Sequence, residues 1–208
     1  MDLSQILLFA SVSLALLATP GPDMIYVLTR GVSDGRKIGL FSAAGITVGI
    51  LVNTLLAAIG LAALFKTSAI AFMIVKYAGG AYLLFLGIKT LIASNRISVE
   101  ETSVAQSNSK AFGQGVLTNV LNPKVAMFIL AFLPQFINSS ANNPTLQMIL
   151  LGSAYASLTF ILYGTFGYFT GQIGKWLKNH PKVEKWSQRF SGLVFIGLAV
   201  RFVFMQQK

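Results

Sequence analysis

Two short stretches carry most of the residues able to do chemistry. In "ATPGPD" (18–23), Thr19 and Asp23 flank Pro20, Gly21 and Pro22; in "LTNVLNPK" (117–124), Thr118, Asn119 and Asn122 lead into Pro123 and Lys124. Each puts a proline break beside a charge inside otherwise apolar text, and aligning Pro22 on Pro123 sets Asp23 opposite Lys124. Proline removes a backbone donor and clashes with the preceding turn, so both helices must open there. A restarted helix offers free N–H groups and the positive end of its dipole, which suit a carboxylate. The unwound carbonyls before it suit an ammonium or another cation. The combined chemistry is recognition of a zwitterion, with Thr19, Pro20, Gly21, Pro22, Asp23, Asn119, Asn122, Pro123 and Lys124 as binding candidates.

An ionisable group deep in a membrane helix costs about 3 kcal/mol on insertion scales and is functional by default. That makes Asp23 the candidate proton carrier. Its structural alternative is a first-turn charge complementing the helix dipole, and that of Lys124 is snorkelling toward the membrane surface. Asn53 follows Gly45 and Gly49 at four-residue spacing. Small residues at that spacing mark close helix packing, and Asn53 is a further candidate for lining the path. Tyr155, Thr159 and Tyr163 form a polar stripe suited either to a cavity wall or to interhelical bonds.

These residues need apolar elements to hold them, and the composition supplies them. The chain has 208 residues, 54% hydrophobic and only 11% charged, with a mean hydropathy of +0.69. A soluble domain carries about 25% charged residues, so an all-α integral membrane protein is expected. A spanning helix takes about 20 apolar residues, and candidates lie at 3–29, 38–64, 69–92, 112–136, 145–173 and 188–205. The first lacks a basic leader and a small-residue cleavage pattern, so it is read as part of the mature chain.

The net charge of +10 is spread between the apolar segments and reads as an orientation signal rather than a nucleic-acid surface. Arg30, Arg36 and Lys37, then Lys89, Arg96 and Lys110, then Lys175, Lys178, Lys182, Lys185 and Arg189 mark the odd connections as cytoplasmic. Lys66 and Lys208 are the basic residues on the other side, so both termini face outward. Lys76 and Arg201 fall near helix ends, where they snorkel. Trp176 and Trp186 among the last lysines form an interfacial anchor to membrane lipid.

The polar stretch 93–111 divides the chain into 1–92 and 112–208, each with three spanning segments. An odd number per half makes any repeat inverted, with broken helices one and four in matching places. "KYAG" (76–79) echoes "RFSG" (189–192), and "FLG" (85–87) echoes "FIG" (195–197). Inverted repeats with interrupted helices point to a secondary transporter. The chain has no cysteine, one histidine (His180) and no Walker-type loop, so thiolate metal sites, His-based catalytic clusters and a self-contained ATP-driven pump are not expected. No cofactor or metal is implied, and the chain is not expected to be an enzyme. An intramembrane protease would need paired aspartates or a Ser/His pair, and one aspartate reads as deep.

"PGPD", the spaced glycines of the second segment, "KYAGGAYLLFLGIKTL" and "GVLTNVLNPKVAMFILAFLPQF" together resemble the lysine-exporter superfamily, closest to its homoserine/threonine-exporter branch. The resemblance implies export of amino acids or close derivatives, neutral and homoserine- or threonine-like, from the bacterial cytoplasm across the inner membrane, driven by the proton motive force. Its Pro-Gly-Pro maps onto Pro20, Gly21 and Pro22, and its Asn-Pro-Lys onto Asn122, Pro123 and Lys124. A passive channel or facilitator for small zwitterions is the alternative. The resemblance leaves the individual amino acid and homo-oligomerisation open.

Overall fold

The protein is seen in a computed structural model that describes residues 3–67, 69–92, 106–137, 143–170, 173 and 181–204. The described residues are helical, without strands: α1 (Leu3–Ala18), α2 (Pro22–Asp34), α3 (Arg36–Thr67), α4 (Ala69–Ile92), α5 (Asn108–Val120), α6 (Pro123–Phe132) running into a 3-10 turn (Leu133–Phe136), α7 (Pro144–Tyr168) and α8 (Pro181–Phe204). Each expected apolar segment coincides with one helix or with two joined at a break.

Local chemistry sets the boundaries. Proline stands first in α2, α6 and α7, where its missing N–H has no helical partner to lose. Gly35 ends α2 at φ 90, the left-handed region that favours glycine, and its N–H closes on the Gly31 carbonyl at 3.1 Å. α5 starts at Asn108, inside the expected linker 93–111, because the Ser107 hydroxyl accepts from Lys110 N at 3.3 Å and caps it. α8 starts at Pro181, ahead of the expected 188, so Lys182, Lys185, Trp186 and Arg189 sit exposed on a helix. Residues 93–105, Lys175, Trp176, Lys178, His180 and Lys208 lie outside the described residues, as do the side chains of Lys66, Lys76 and Arg201.

Arg36–Gly60 and Pro144–Tyr168 are each long and apolar enough to cross a membrane unaided. The pairs Gln5–Ala18 with Pro22–Asp34, and Asn108–Val120 with Pro123–Phe136, qualify as bent spans, each bent by 56°. Leu56, Ile59, Ile161 and Leu193 are exposed, the outward face that a bilayer-embedded bundle requires. This is a multi-pass membrane protein.

α3 is the hub, packed on α2, α5 and α7; α4 packs on α8 and α6, and α1 on α7 and α8. Lipid tails remove most of the hydrophobic drive between helices, so close backbone approach must supply contact instead. Gly45 and Gly49 do this toward α5: a Cβ on Gly49 would stand 2.6 Å from the Asn119 Cβ, and one on Gly115 would stand 2.6 Å from the Ser42 carbonyl oxygen. The spaced small residues therefore pack α3 against the helix that carries Asn119. The glycine echo between the third helices is less even, since Gly87 meets Gly192 closely while Gly197 faces open space.

Gly115→Val should accordingly cost about 3 kcal/mol by overpacking against backbone. Gly113→Ala, with nothing within 4 Å of its new Cβ, should cost nothing. Thermal melts of the two variants in detergent check this; equal melting temperatures would remove the packing argument.

Candidate functional site

The first break follows from the positions of its prolines. In a continuous helix the carbonyls of Leu16 and Ala18 would accept from residues 20 and 22, both prolines without an N–H. The chain turns extended at Gly21 (φ −167, ψ 178) and restarts as α2. Thr19 N serves both the Ala15 and the Leu16 carbonyl at 3.2 Å, and side chains from remote helices reach the carbonyls around the break. Tyr163 of α7 donates to the Leu17 carbonyl at 3.2 Å, and Ser191 of α8 to the Ala15 carbonyl at 2.9 Å. Thr19, buried, donates its hydroxyl back to Ala15 at 2.8 Å. Lys124 of α6 donates its Nζ to the Thr19 carbonyl at 2.9 Å.

The second break repeats the logic. Pro123 strips the expected donor from the Asn119 carbonyl, which accepts instead from Asn122 N at 2.9 Å and from Asn53 Nδ2 of α3 at 3.2 Å. The same Asn53 amide reaches Asn119 Oδ1 at 3.4 Å. The Asn122 side chain accepts from Lys124 N at 3.0 Å and caps α6. Of the two restarted helices expected to present free N–H groups, α6 is therefore closed by its own cap. α2, with glycine at the cap position, has no side-chain cap and stays open.

Two contacts join the breaks. Asn119 donates to Asp23 Oδ2 at 2.7 Å, a short charge-assisted bond, and Lys124 spans to Thr19. A Cβ on Gly21 would lie 3.2 Å from Lys124 Nζ, so the ammonium stands beside the uncapped start of α2. Asp23 is 4% exposed. The Asn122 side chain lies beside its carboxylate, yet Oδ1 makes no hydrogen bond of acceptable geometry among the described residues. Asp23 and Lys124 are in electrostatic reach of each other without an ion pair within 4.0 Å.

The structure thus assembles Thr19, Asp23, Asn53, Asn119, Asn122 and Lys124, with Pro20 and Gly21 half-buried at their edge. Pro22 and Pro123 open the helices and are exposed. Thr118 is half-buried, and no polar contact ties it to the group. Lys124 does not snorkel: its amine turns inward and gives one of its three N–H groups to the Thr19 carbonyl. Of the tyrosine stripe, Tyr163 makes an interhelical bond, Thr159 bonds the Tyr155 carbonyl of its own helix at 2.8 Å, and the Tyr155 hydroxyl has no partner among the described residues. Ser191 was not legible as a partner, since a serine in an apolar helix carries no sign of which neighbour it meets. The Asp34 side chain is a second buried acid, paired with Arg30 at 3.3 Å. Eleven residues of one helix place it about 16 Å from Asp23, too far for a carboxylate dyad.

An uncharacterized membrane protein, YrhP, of Bacillus subtilis (strain 168) is 29% identical over 206 residues, 95% of this chain and 97% of its own. A leucine efflux protein of Enterobacter sp. (strain 638) is 33% identical over 188 residues, 89% of each chain. A leucine efflux protein of Klebsiella pneumoniae is 32% identical over 194 residues, 92% of this chain and 91% of its own. No solved structure gives a significant match. The family model of LysE type translocators matches residues 14–206, the stretch that contains both breaks, and the chain belongs to that family.

Proposed function

We propose that the protein is a secondary active exporter of neutral amino acids or close derivatives, driven by the proton motive force across a bacterial inner membrane. The observation that carries this is the meeting of the two breaks: an acid on one and an amine on the other, buried or half-buried together, close but not paired with each other. A zwitterion inserted between them pairs its ammonium with Asp23 and its carboxylate with Lys124 and the open start of α2. Asn53, Asn119 and Asn122 hold these charges in place, and Thr19 and Gly21 lend the backbone that Lys124 rests on. Asp23 then serves substrate ammonium and proton in turn, which couples their movements in opposite directions.

Neutrality follows from what surrounds the pair. Asp34 is engaged by Arg30 and Asp23 by the ammonium, so the described site has no further buried acid for a basic side chain. The names of the leucine efflux relatives make leucine the first amino acid to test, with threonine and homoserine beside it. In cells loaded with each, uphill efflux should collapse on adding a protonophore. Efflux that only runs downhill and ignores the protonophore would instead make the protein a facilitator.

The architecture proposed with this function has six spans, helices one and four being the bent pairs, arranged as inverted repeats over 1–92 and 112–208. The equal bends and the pairing of α3 with α7 and of α4 with α8 support it. Both termini lie outside. With no native cysteine, Asn142→Cys should react with an impermeant thiol reagent on intact cells, and Ser109→Cys only after lysis. Reaction of both from one side would overturn the topology.

A further inference from the structure

We propose that Tyr155 is a substrate-contacting residue, its hydroxyl and the free Oδ1 of Asp23 together receiving the ammonium group of a bound amino acid. This rests on the amino-acid reading of the site and adds a ligand that neither the family nor its relatives' names assign. Tyr155 lies on α7 with none of its surface exposed, its ring packed on Phe128 of α6 at a centroid distance of 5.0 Å. Its hydroxyl has no hydrogen-bond partner among the described residues, and neither has Asp23 Oδ1. The two groups are in electrostatic reach of each other, yet they do not bond.

Other buried hydroxyls lack a partner too, those of Ser13, Ser42 and Thr54. A serine or threonine in a helix can turn to the carbonyl four residues back, as Thr47 and Thr159 do here. A phenol is too long for that, and a carboxylate has no proton to give. The phenol must find a partner from outside its own helix, and the carboxylate oxygen needs a donor that the described residues do not give it. Tyr163, two turns further along the same face of α7, has found one in the Leu17 carbonyl. α7 packs against α2, which carries Asp23, so the unpaired phenol and the unpaired carboxylate oxygen belong to neighbouring helices. A group with several N–H donors and a positive charge satisfies both oxygens at once, and an α-ammonium is such a group.

The hydroxyl's stability cost makes the test sharp. Removing an unpaired buried polar atom is neutral or stabilising, whereas removing a bonded one is destabilising. Tyr155→Phe keeps the ring against Phe128 and deletes only the oxygen. In the purified full-length protein, without substrate, the variant should melt at or above the wild-type temperature. Its Kd for leucine, or for whichever of threonine and homoserine the wild type binds, should rise about tenfold or more. An unchanged Kd overturns the assignment while leaving the amino-acid site standing, and so does a lower melting temperature with an unchanged Kd. If wild type and variant both bind no amino acid, the reading of the site falls and this assignment with it.

Discussion

Asp23→Asn is expected to bring uphill export to background while leaving the protein folded and inserted. The amide has the carboxylate's shape and keeps an acceptor for Asn119, whose bond to Oδ2 is 2.7 Å. It loses the charge and the proton that can leave. Removing a buried charge relieves its desolvation cost, so loss of stability is not expected. What disappears is a charge-assisted bond to the substrate ammonium, worth about 1.5–3 kcal/mol, or a Kd raised about 10- to 150-fold. Counterflow of labelled against unlabelled amino acid should survive at saturating concentration, because a site that needs no proton can still exchange. The pH response separates this from a general defect. In the wild type, acid on the substrate's side sets protons against ammonium for one carboxylate and weakens binding; in Asp23→Asn that competition vanishes and binding becomes flat with pH. Wild-type uphill rates in the variant would remove Asp23 from the coupling mechanism.

Lys124→Gln is expected to be nearly as damaging, for two reasons that can be measured apart. The ammonium bonds the Thr19 carbonyl at 2.9 Å and stands beside the start of α2, so its loss removes one of the two contacts between the breaks. Leaving that carbonyl unpaired costs about 1–3 kcal/mol and should lower the melting temperature of the empty protein. Its second role is toward the substrate carboxylate, where losing the charge should again raise Kd about 10- to 150-fold. Leucinamide has no carboxylate to lose, so its binding should weaken much less than that of leucine. Lys124→Arg should restore part of the carboxylate recognition, though the planar guanidinium is poorly shaped to replace a point charge. Equal weakening of leucine and leucinamide would leave Lys124 only its structural role.

The sequence alone determined the apolar segments and where two of them break. Both are local effects: helix length needs a run of apolar residues, and a proline removes its own N–H whatever surrounds it. Residues 18–23 and 117–124 therefore announced themselves. The cap on α6 was legible too, since asparagine before proline is a helix-start signal; the expectation of free N–H groups there overlooked it. Tertiary structure alone decided who satisfies the opened backbone. The side-chain partners of the Thr19 and Leu17 carbonyls lie 105 and 146 residues away, and Ser191, an added partner of the Ala15 carbonyl, lies 176 away; all depend on how each helix is rotated about its axis. A rotation of one residue carries a side chain about 100° around the helix, enough to send Tyr163 to lipid or Tyr155 to a backbone carbonyl. Sequence spacing put Tyr155, Thr159 and Tyr163 on one face. Only the packing of α7 against α1, α3 and α6 separated a bonded hydroxyl from an unpaired one.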